Sequence, residues 1–454
     1  MLKKEKIIVI GAGLSGPLLA ILLAKRGYDV SMYERRPDMR LSQIPAGRSI
    51  NLALSNRGIL PLKKIGMDDV VLKETIAMHG RMIHDVKGNT NLQPYSGRQG
   101  EYIYSVSRGG LNMRLMDEAE RNNIPIYFNR RCTHADLDSG EVTFLEETTG
   151  KETRDKADVV IGTDGAGSAV RSAMLKQSSR FRFNFSQEYL EHGYKELRIP
   201  PGRAEELFRI EKHALHIWPR GGFMLIALPN FDGSFTVTLF HYYKGEFGFD
   251  ALNSAEKIMQ FFTEEFPDSI PHMPELTKDF MENPTGTLAT VKCYPWQANH
   301  KFLLLGDAAH AIVPFYGQGM NCSFEDCLIL DTVLEEHSGD WSKTMEDYQK
   351  RRKPDTDAIA DLAIENFYEM RDHVANATFV KKRKLEMKLE QTYPDYYSKY
   401  ALVTFREDLP YAVAKKRGTK QNEILLELCS AVDDVDALNL EEVYEKVRTV
   451  AAEE

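Results

Sequence analysis

Cysteine is scarce: five residues in 454, at positions 132, 293, 322, 327 and 429, with no C-x-x-C pair. That excludes a disulfide framework and predicts a reducing, cytoplasmic setting. Cys322 and Cys327 come nearest to a pair, but no His/Cys set at ligand spacing accompanies them, so no metal site is predicted. Positive charge is not in excess either. The 58 Lys and Arg face 67 Asp and Glu, a net charge of −9. Nucleic acid is therefore excluded as a partner, because phosphate binding needs a concentrated basic face. The longest basic run, Lys381-Lys382-Arg383-Lys384, falls in a helical pattern and reads as a solvated face. Repeats and low-complexity tracts are absent. One charge-free stretch, residues 7–24, follows Lys3, Lys4 and Lys6 and superficially matches a signal peptide or a short span. Gly11, Gly13, Ser15, Gly16 and Pro17 break it, so no membrane partner is expected. The charged end, residues 443–454, carries no apolar anchor.

What is present begins at that broken stretch. Lys6-Ile-Ile-Val-Ile10 reads as a buried parallel strand and enters Gly11-Ala-Gly13-Leu14-Ser15-Gly16. An apolar helix follows, with Pro17 near its first turn; Gly27 ends it, and Tyr28–Tyr33 forms a second strand delivering Glu34. Gly11 permits the tight turn, and Gly13 lets a pyrophosphate approach the backbone. Gly16 brings helix and strand close, and the helix start offers free N–H groups to phosphate. Glu34, 18 residues after Gly16, can accept hydrogen bonds from a ribose. Strand, glycines, helix, strand and acid in this order predict a dinucleotide site without separating NAD from FAD.

Two further strand–turn–helix segments decide between them. The first is Ala157–Ile161 running into Gly162-Thr-Asp164-Gly165-Ala-Gly167. The second is Lys301–Leu305 running into Gly306-Asp307-Ala308-Ala309-His310, then a Gly/Pro-rich loop and a helix starting near Gly319–Asn321. Asp307 sits where open α/β sheets bind ligands, at a strand's C-terminal end. With GAGLSG and Glu34, these segments resemble the FAD-dependent aromatic-ring hydroxylases of the para-hydroxybenzoate-hydroxylase type. No second strand–GxGxxG–helix unit exists, in keeping with a family that binds NADPH only transiently. The resemblance implies that FAD is held by Gly11, Gly13, Leu14, Ser15, Gly16, Glu34, Arg35, Arg36, Ala53, Arg108, Asp164, Asp307, Gly319, Met320 and Asn321. Asp307 would meet the ribityl chain, and the helix near Gly319 would aim its dipole at the flavin's pyrimidine edge. His310 reads as a satisfied structural histidine.

Less common strings narrow the resemblance. Glu34-Arg-Arg-Pro37, Gly47–Gly58, Gly80-Arg81-Met-Ile-His84, Asn91–Tyr95, Leu215–Pro219, Phe235–Phe240, Pro314–Asn321, Glu365–Met370 and Tyr400–Phe405 are similar to the kynurenine 3-monooxygenase family over residues 6–412. That implies an NADPH- and O2-dependent monooxygenase converting L-kynurenine to 3-hydroxy-L-kynurenine through a flavin hydroperoxide, within tryptophan catabolism and pyridine nucleotide biosynthesis. By this resemblance Arg81, Tyr95, Asn366 and Tyr400 hold the amino-acid end, for which a planar guanidinium and hydroxyl donors are suited. Leu215, Met224, Ile226, Phe240, Pro314 and Phe315 form an apolar slot for the ring. Tyr316 receives no role. Two other functions stay open: a related FAD hydroxylase of another amino-substituted aromatic acid, and a non-oxygenating FAD reductase.

The expected fold class is α/β: a Rossmann-type FAD-binding domain (GR2-like) over 1–73, 100–180 and 285–360. A mainly antiparallel substrate sheet is inserted from 74–99 and 181–284, and a helical layer over 361–454 closes it. The chain is expected as a monomer or homodimer.

Overall fold

The computed structural model describes residues 4–41, 51–203, 206–373 and 377–449. Residues 47–50 of the Gly47–Gly58 string lie outside them. The β-branched run Lys6–Ile10 is the centre of a six-stranded sheet, ordered Gln297–Ala298, Phe302–Leu304, Val159–Gly162, Lys6–Ile10, Asp29–Tyr33, Ile126–Tyr127. All pairings are parallel except that of Gln297–Ala298. The charge-free stretch is thus a strand and the helix Ser15–Lys25, whose residues from Gly16 to Leu23 are buried. Among the described residues, no helix is long and apolar enough to cross a membrane.

The three motif-bearing strands lie side by side, so their C-terminal turns converge on one edge of the sheet. Gly11, at φ +104°, is the tightest of these turns. A Cβ there would sit 2.6 Å from the Thr163 carbonyl oxygen, so the motif strand and the Asp164 strand meet only if position 11 is glycine.

A seven-stranded sheet stands beyond that edge, ordered Thr285–Tyr294, Asn184–Ile199, Phe235–Tyr242, Met224–Pro229, Ala214–Pro219, Gly80–His84, Thr90–Pro94. It is antiparallel apart from the parallel pair Ala214–Pro219 with Gly80–His84. Thr285–Tyr294 runs along Asn184–Ile199, so this sheet reaches past the 181–284 expected for it. Period-two alternation sorts its two faces. Ile83, Ile217, Met224 and Phe240 share a core with Phe315 and the C-terminal helices. Trp218, Leu225, Val237 and Leu239 pack instead on the helices Ala255–Glu265 and Leu276–Glu282.

The C-terminal part of the chain is helical, as expected. Trp341–Tyr368 runs unbroken through the 360/361 division, and a π-helical turn at Glu369–His373 ends it. Ala377–Thr392, Lys399–Thr404, Tyr411–Ser430 and Leu440–Thr449 follow. Arg57, fully buried in the helix Asn56–Ile65, fixes this layer to the rest. Its Nε donates to Val403 O at 2.8 Å and its Nη2 to Arg406 O at 2.8 Å, while Nη1 meets Glu325 at 2.6 Å. The guanidinium lies 3.9 Å from the Tyr411 ring centroid.

Candidate active site

A cavity of about 1070 Å³ runs from the glycine turns to the face of the seven-stranded sheet that carries Leu215, Met224, Ile226 and Phe240. Gly13 opens onto it: a Cβ there would meet no atom of the chain within 4 Å. Leu14 and Ser15 line it beside the first turn of the motif helix, and Glu34, Arg35 and Arg36 line it at the neighbouring strand's end. Glu34 is 4% exposed. It accepts from Ala12 N at 2.8 Å and from Arg36 N and Nε at 2.9 and 2.8 Å. Burial works against its charge, but Arg36 and the two backbone donors hold its carboxyl below the usual range. Asp164 and Asp307 border the same space, and burial raises both carboxyls. Asp164 Oδ1 is buried without a partner.

The helix Gly319–Glu336 starts at the wall, with Gly319 and Met320 facing the cavity. Ala53 and Arg108 complete this part. Gly16 and Asn321 are not on the wall. A Cβ on Gly16 would lie 2.0 Å from Gly11 O, so its smallness serves the turn. The Asn321 side chain is spent behind the wall: Nδ2 donates to Ala53 O at 2.8 Å and Gly317 O at 2.9 Å, and Oδ1 accepts from Ser55 N at 2.9 Å. His310 is held by Asp326 at 2.6 Å, with Arg352 on the other carboxylate oxygen at 2.7 Å. Cys322 Sγ, His310 and Asp326 lie close enough for a cation, but Arg352 already occupies that charge.

This half of the cavity fits a flavin dinucleotide. It has a glycine open to a pyrophosphate, an acid with one Oε2 lone pair left for a ribose hydroxyl, an unpartnered buried carboxylate oxygen and a helix N-terminus.

The other half is lined by Leu215, Met224, Ile226, Phe240, Pro314 and Phe315, which make an apolar slot. Phe315 lies 4.9 Å from Phe240 and 4.2 Å from Phe367, ring centre to ring centre. Three tyrosines stack at the far end: Tyr400 lies 5.1 Å from Tyr95 at 13° and 5.6 Å from Tyr316 at 15°. Arg81 stands over this stack, its guanidinium 5.0 Å from the Tyr400 ring. Arg81 Nε and Tyr95 Oη are both buried without a partner. Asn366 does not line the cavity. Its Nδ2 donates to Phe315 O at 2.7 Å, and it borders a small side chamber with Arg81, Tyr400, Glu369, Lys382 and Arg383. Burial opposes the Glu369 charge, yet Lys382, Lys399, Arg81 and Arg383 together keep its carboxyl low.

Several wall residues carry no motif. Tyr316 is one. Tyr194 is another: it pairs in register with Phe240, and the alternation of its strand marks the face it shares with the slot. Arg131–Ala135 border the dinucleotide half from a strand without any motif.

Residues 4–363 match the FAD binding domain family. The chain is 45% identical over 449 residues to the kynurenine 3-monooxygenase of Myxococcus xanthus, covering 98% of this chain and 96% of that one. It is also 45% identical over 448 residues to that of Dictyostelium discoideum, covering 96% and 95%. Among solved structures, 2-methyl-3-hydroxypyridine-5-carboxylic acid oxygenase superposes with a TM-score of 0.67 at 22% identity, over 85% of this chain and 98% of that one. Tetracycline destructase Tet(51) gives 0.60 at 18%, over 88% and 100%. The two structures share the fold.

Proposed function

The chain belongs to the kynurenine 3-monooxygenase family of FAD-binding proteins, and on that premise we propose how its residues carry out the reaction. The enzyme binds FAD and converts L-kynurenine, NADPH, O2 and a proton into 3-hydroxy-L-kynurenine, NADP+ and water. FAD, when bound, supplies the electron transfer and oxygen activation that side chains cannot. The glycine turns, Glu34, Asp164, Asp307 and the helix start at Gly319 would hold it. That helix end would stabilise negative charge gained by a flavin held there.

The substrate's amino-acid end is assigned to Arg81, Tyr95 and Tyr400, and its ring to the slot of Leu215, Met224, Ile226, Phe240, Pro314 and Phe315. One observation carries this: Arg81 Nε and Tyr95 Oη are buried without a hydrogen bond of good geometry, and both residues line the cavity that holds the apolar slot, with Arg81 beside the Tyr95 and Tyr400 side chains. Burying such donors costs free energy that an incoming carboxylate returns. Asn366 acts behind them, holding Phe315 through its carbonyl. The apolar slot keeps water from the reacting carbon, ortho to the aniline nitrogen. An aminophenyl ring is electron-rich enough to need no protein base there. Among the described residues, His134 is the one histidine on the cavity wall, and it lies in the dinucleotide half. The test is NADPH consumption with and without L-kynurenine under oxygen, with the product identified. A hydroxylated ring supports this reading; peroxide alone contradicts it.

A further inference from the structure

Arg81 is carried by the strand Gly80–His84, which pairs in parallel with Ala214–Pro219 so that Arg81 lies opposite Leu215 and Met82 opposite His216. Behind these strands, on the sheet face away from the cavity, two buried histidines join them. His84 Nε2 lies 2.9 Å from His216 Nδ1. His84 Nδ1 lies 2.9 Å from Asp268 Oδ2, and His216 Nε2 lies 2.7 Å from Glu211 O. The same Asp268 oxygen accepts from Trp218 Nε1 at 2.7 Å.

These three junctions fix a proton count. The Glu211 carbonyl only accepts, so His216 Nε2 carries a proton. The Asp268 carboxylate only accepts, so His84 Nδ1 carries one. The junction between the rings needs a third. Two neutral imidazoles hold two protons, so the pair holds one more and is a monocation. Its surroundings place that charge on His84. Asp268 is beside it, its carboxyl kept low by the His84 and Trp218 contacts against the opposing effect of burial. The Trp218 ring stacks on His84 at 3.9 Å, as it would on a cation. His216 is more enclosed, and burial pushes it down to about 4. The other titratable groups facing the pair are His272, which burial pushes toward the neutral form, Arg220, which donates to His84 O at 3.2 Å, and the exposed Glu211.

We propose that His84 and His216 form a one-proton latch that fixes the register of the two strands and thereby positions Arg81 for the substrate carboxylate. Removing the extra proton leaves two lone pairs facing each other at one junction. Adding a second does the same with two N–H groups. His84 is thus a positioning residue, and the proposal rests on the reading of Arg81 as the carboxylate donor.

Two measurements on wild-type holoenzyme test it. In ¹⁵N-histidine-labelled protein, assigned with His84→Gln or His216→Gln, nitrogen NMR at neutral pH should show His84 protonated at both nitrogens and His216 at Nε2 alone. Two neutral rings would overturn the proposal. KM for L-kynurenine should then rise across the pH range in which NMR shows the extra proton leaving, while kcat and flavin occupancy stay level. His84→Gln should raise KM about 3- to 30-fold and lose that step, since a small misplacement of a binding group is costly. The substrate's own ammonium titrates equally in both proteins and cancels. Arg81→Ala separates the two ideas. If its KM is normal, the carboxylate reading fails and the latch has nothing to position. If its KM is raised but wild type shows no step where the proton leaves, the reading stands and the latch falls. Because both decisive measurements are made on wild type and either glutamine variant suffices for the assignment, one variant that folds poorly does not blunt the test.

Discussion

Arg81 is where chemistry and geometry meet most sharply. Its guanidinium stands over Tyr400 with Nε unpartnered. Arg81→Ala should keep its flavin, since no cofactor segment includes the residue, and lose about 2–4 kcal/mol of transition-state binding, or roughly 30- to 1000-fold in kcat/KM. Arg81→Lys should recover only part, because an ammonium lacks the planar fork. Steady-state kinetics beside a flavin spectrum checks both, and unchanged kinetics in the alanine variant would remove Arg81 from the site. Gly13 makes a second prediction. Its absent side chain points at open cavity rather than at protein, so Gly13→Val should fold but purify colourless. A yellow, fully loaded Gly13→Val protein would contradict the cofactor assignment. Residues of this kind were legible in sequence because a glycine's purpose follows from its neighbours in the chain. Asn366 and Asn321 were not. Nothing in a linear string shows that the Asn321 amide is bonded to Ala53, Gly317 and Ser55, or that Asn366 Nδ2 is turned to Phe315 O.

Among elements, the short helix Lys399–Thr404 carries Tyr400, yet it is held from outside itself. Arg57 donates to the carbonyls of Val403, Arg406 and Leu409, just beyond Tyr400 in the chain. Arg57→Ala would strand these buried acceptors and should cost on the order of 2–4 kcal/mol of stability in urea unfolding. It should also raise KM more than it lowers flavin occupancy, because the Tyr400 helix moves while the glycine turns do not. A loss confined to flavin binding would count against the clamp. The motif strands and the alternating strands of the substrate sheet could be read in advance, since their periodicity is local. The π-helical turn Glu369–His373 and the parallel pairing behind Arg81 could not. Both depend on partners more than a hundred residues away or on packing against another layer.

At the scale of the whole molecule, two buried histidines make stability depend on acid. Burial pushes His216 and His241 down to about 4 from an ordinary 6.5. In the unfolded chain both regain the ordinary value, so as pH falls below about 6.5 the unfolded state takes up protons that the folded state refuses. The stability these two rings contribute is therefore intact above that pH and is lost on the way down to about 4, by at most ~1.4 kcal/mol per pH unit for each group. Urea unfolding at pH 7 and 5.5 should show the lower pH weaker by about 1–3 kcal/mol; equal stability would mean that these rings are hydrated. The overall architecture followed from three strand–turn–acid segments because in a parallel sheet such segments must converge at one edge. The reach of the substrate sheet to Tyr294 did not, since that strand pairs with one begun a hundred residues earlier. The central claim is that this cavity presents L-kynurenine to a flavin. It is tested most directly by following NADPH oxidation in oxygenated buffer as L-kynurenine is added, with chromatography of the products. NADPH oxidation should be stimulated by L-kynurenine and matched by 3-hydroxy-L-kynurenine formed. Oxidation indifferent to L-kynurenine, or yielding peroxide with the ring untouched, would contradict it.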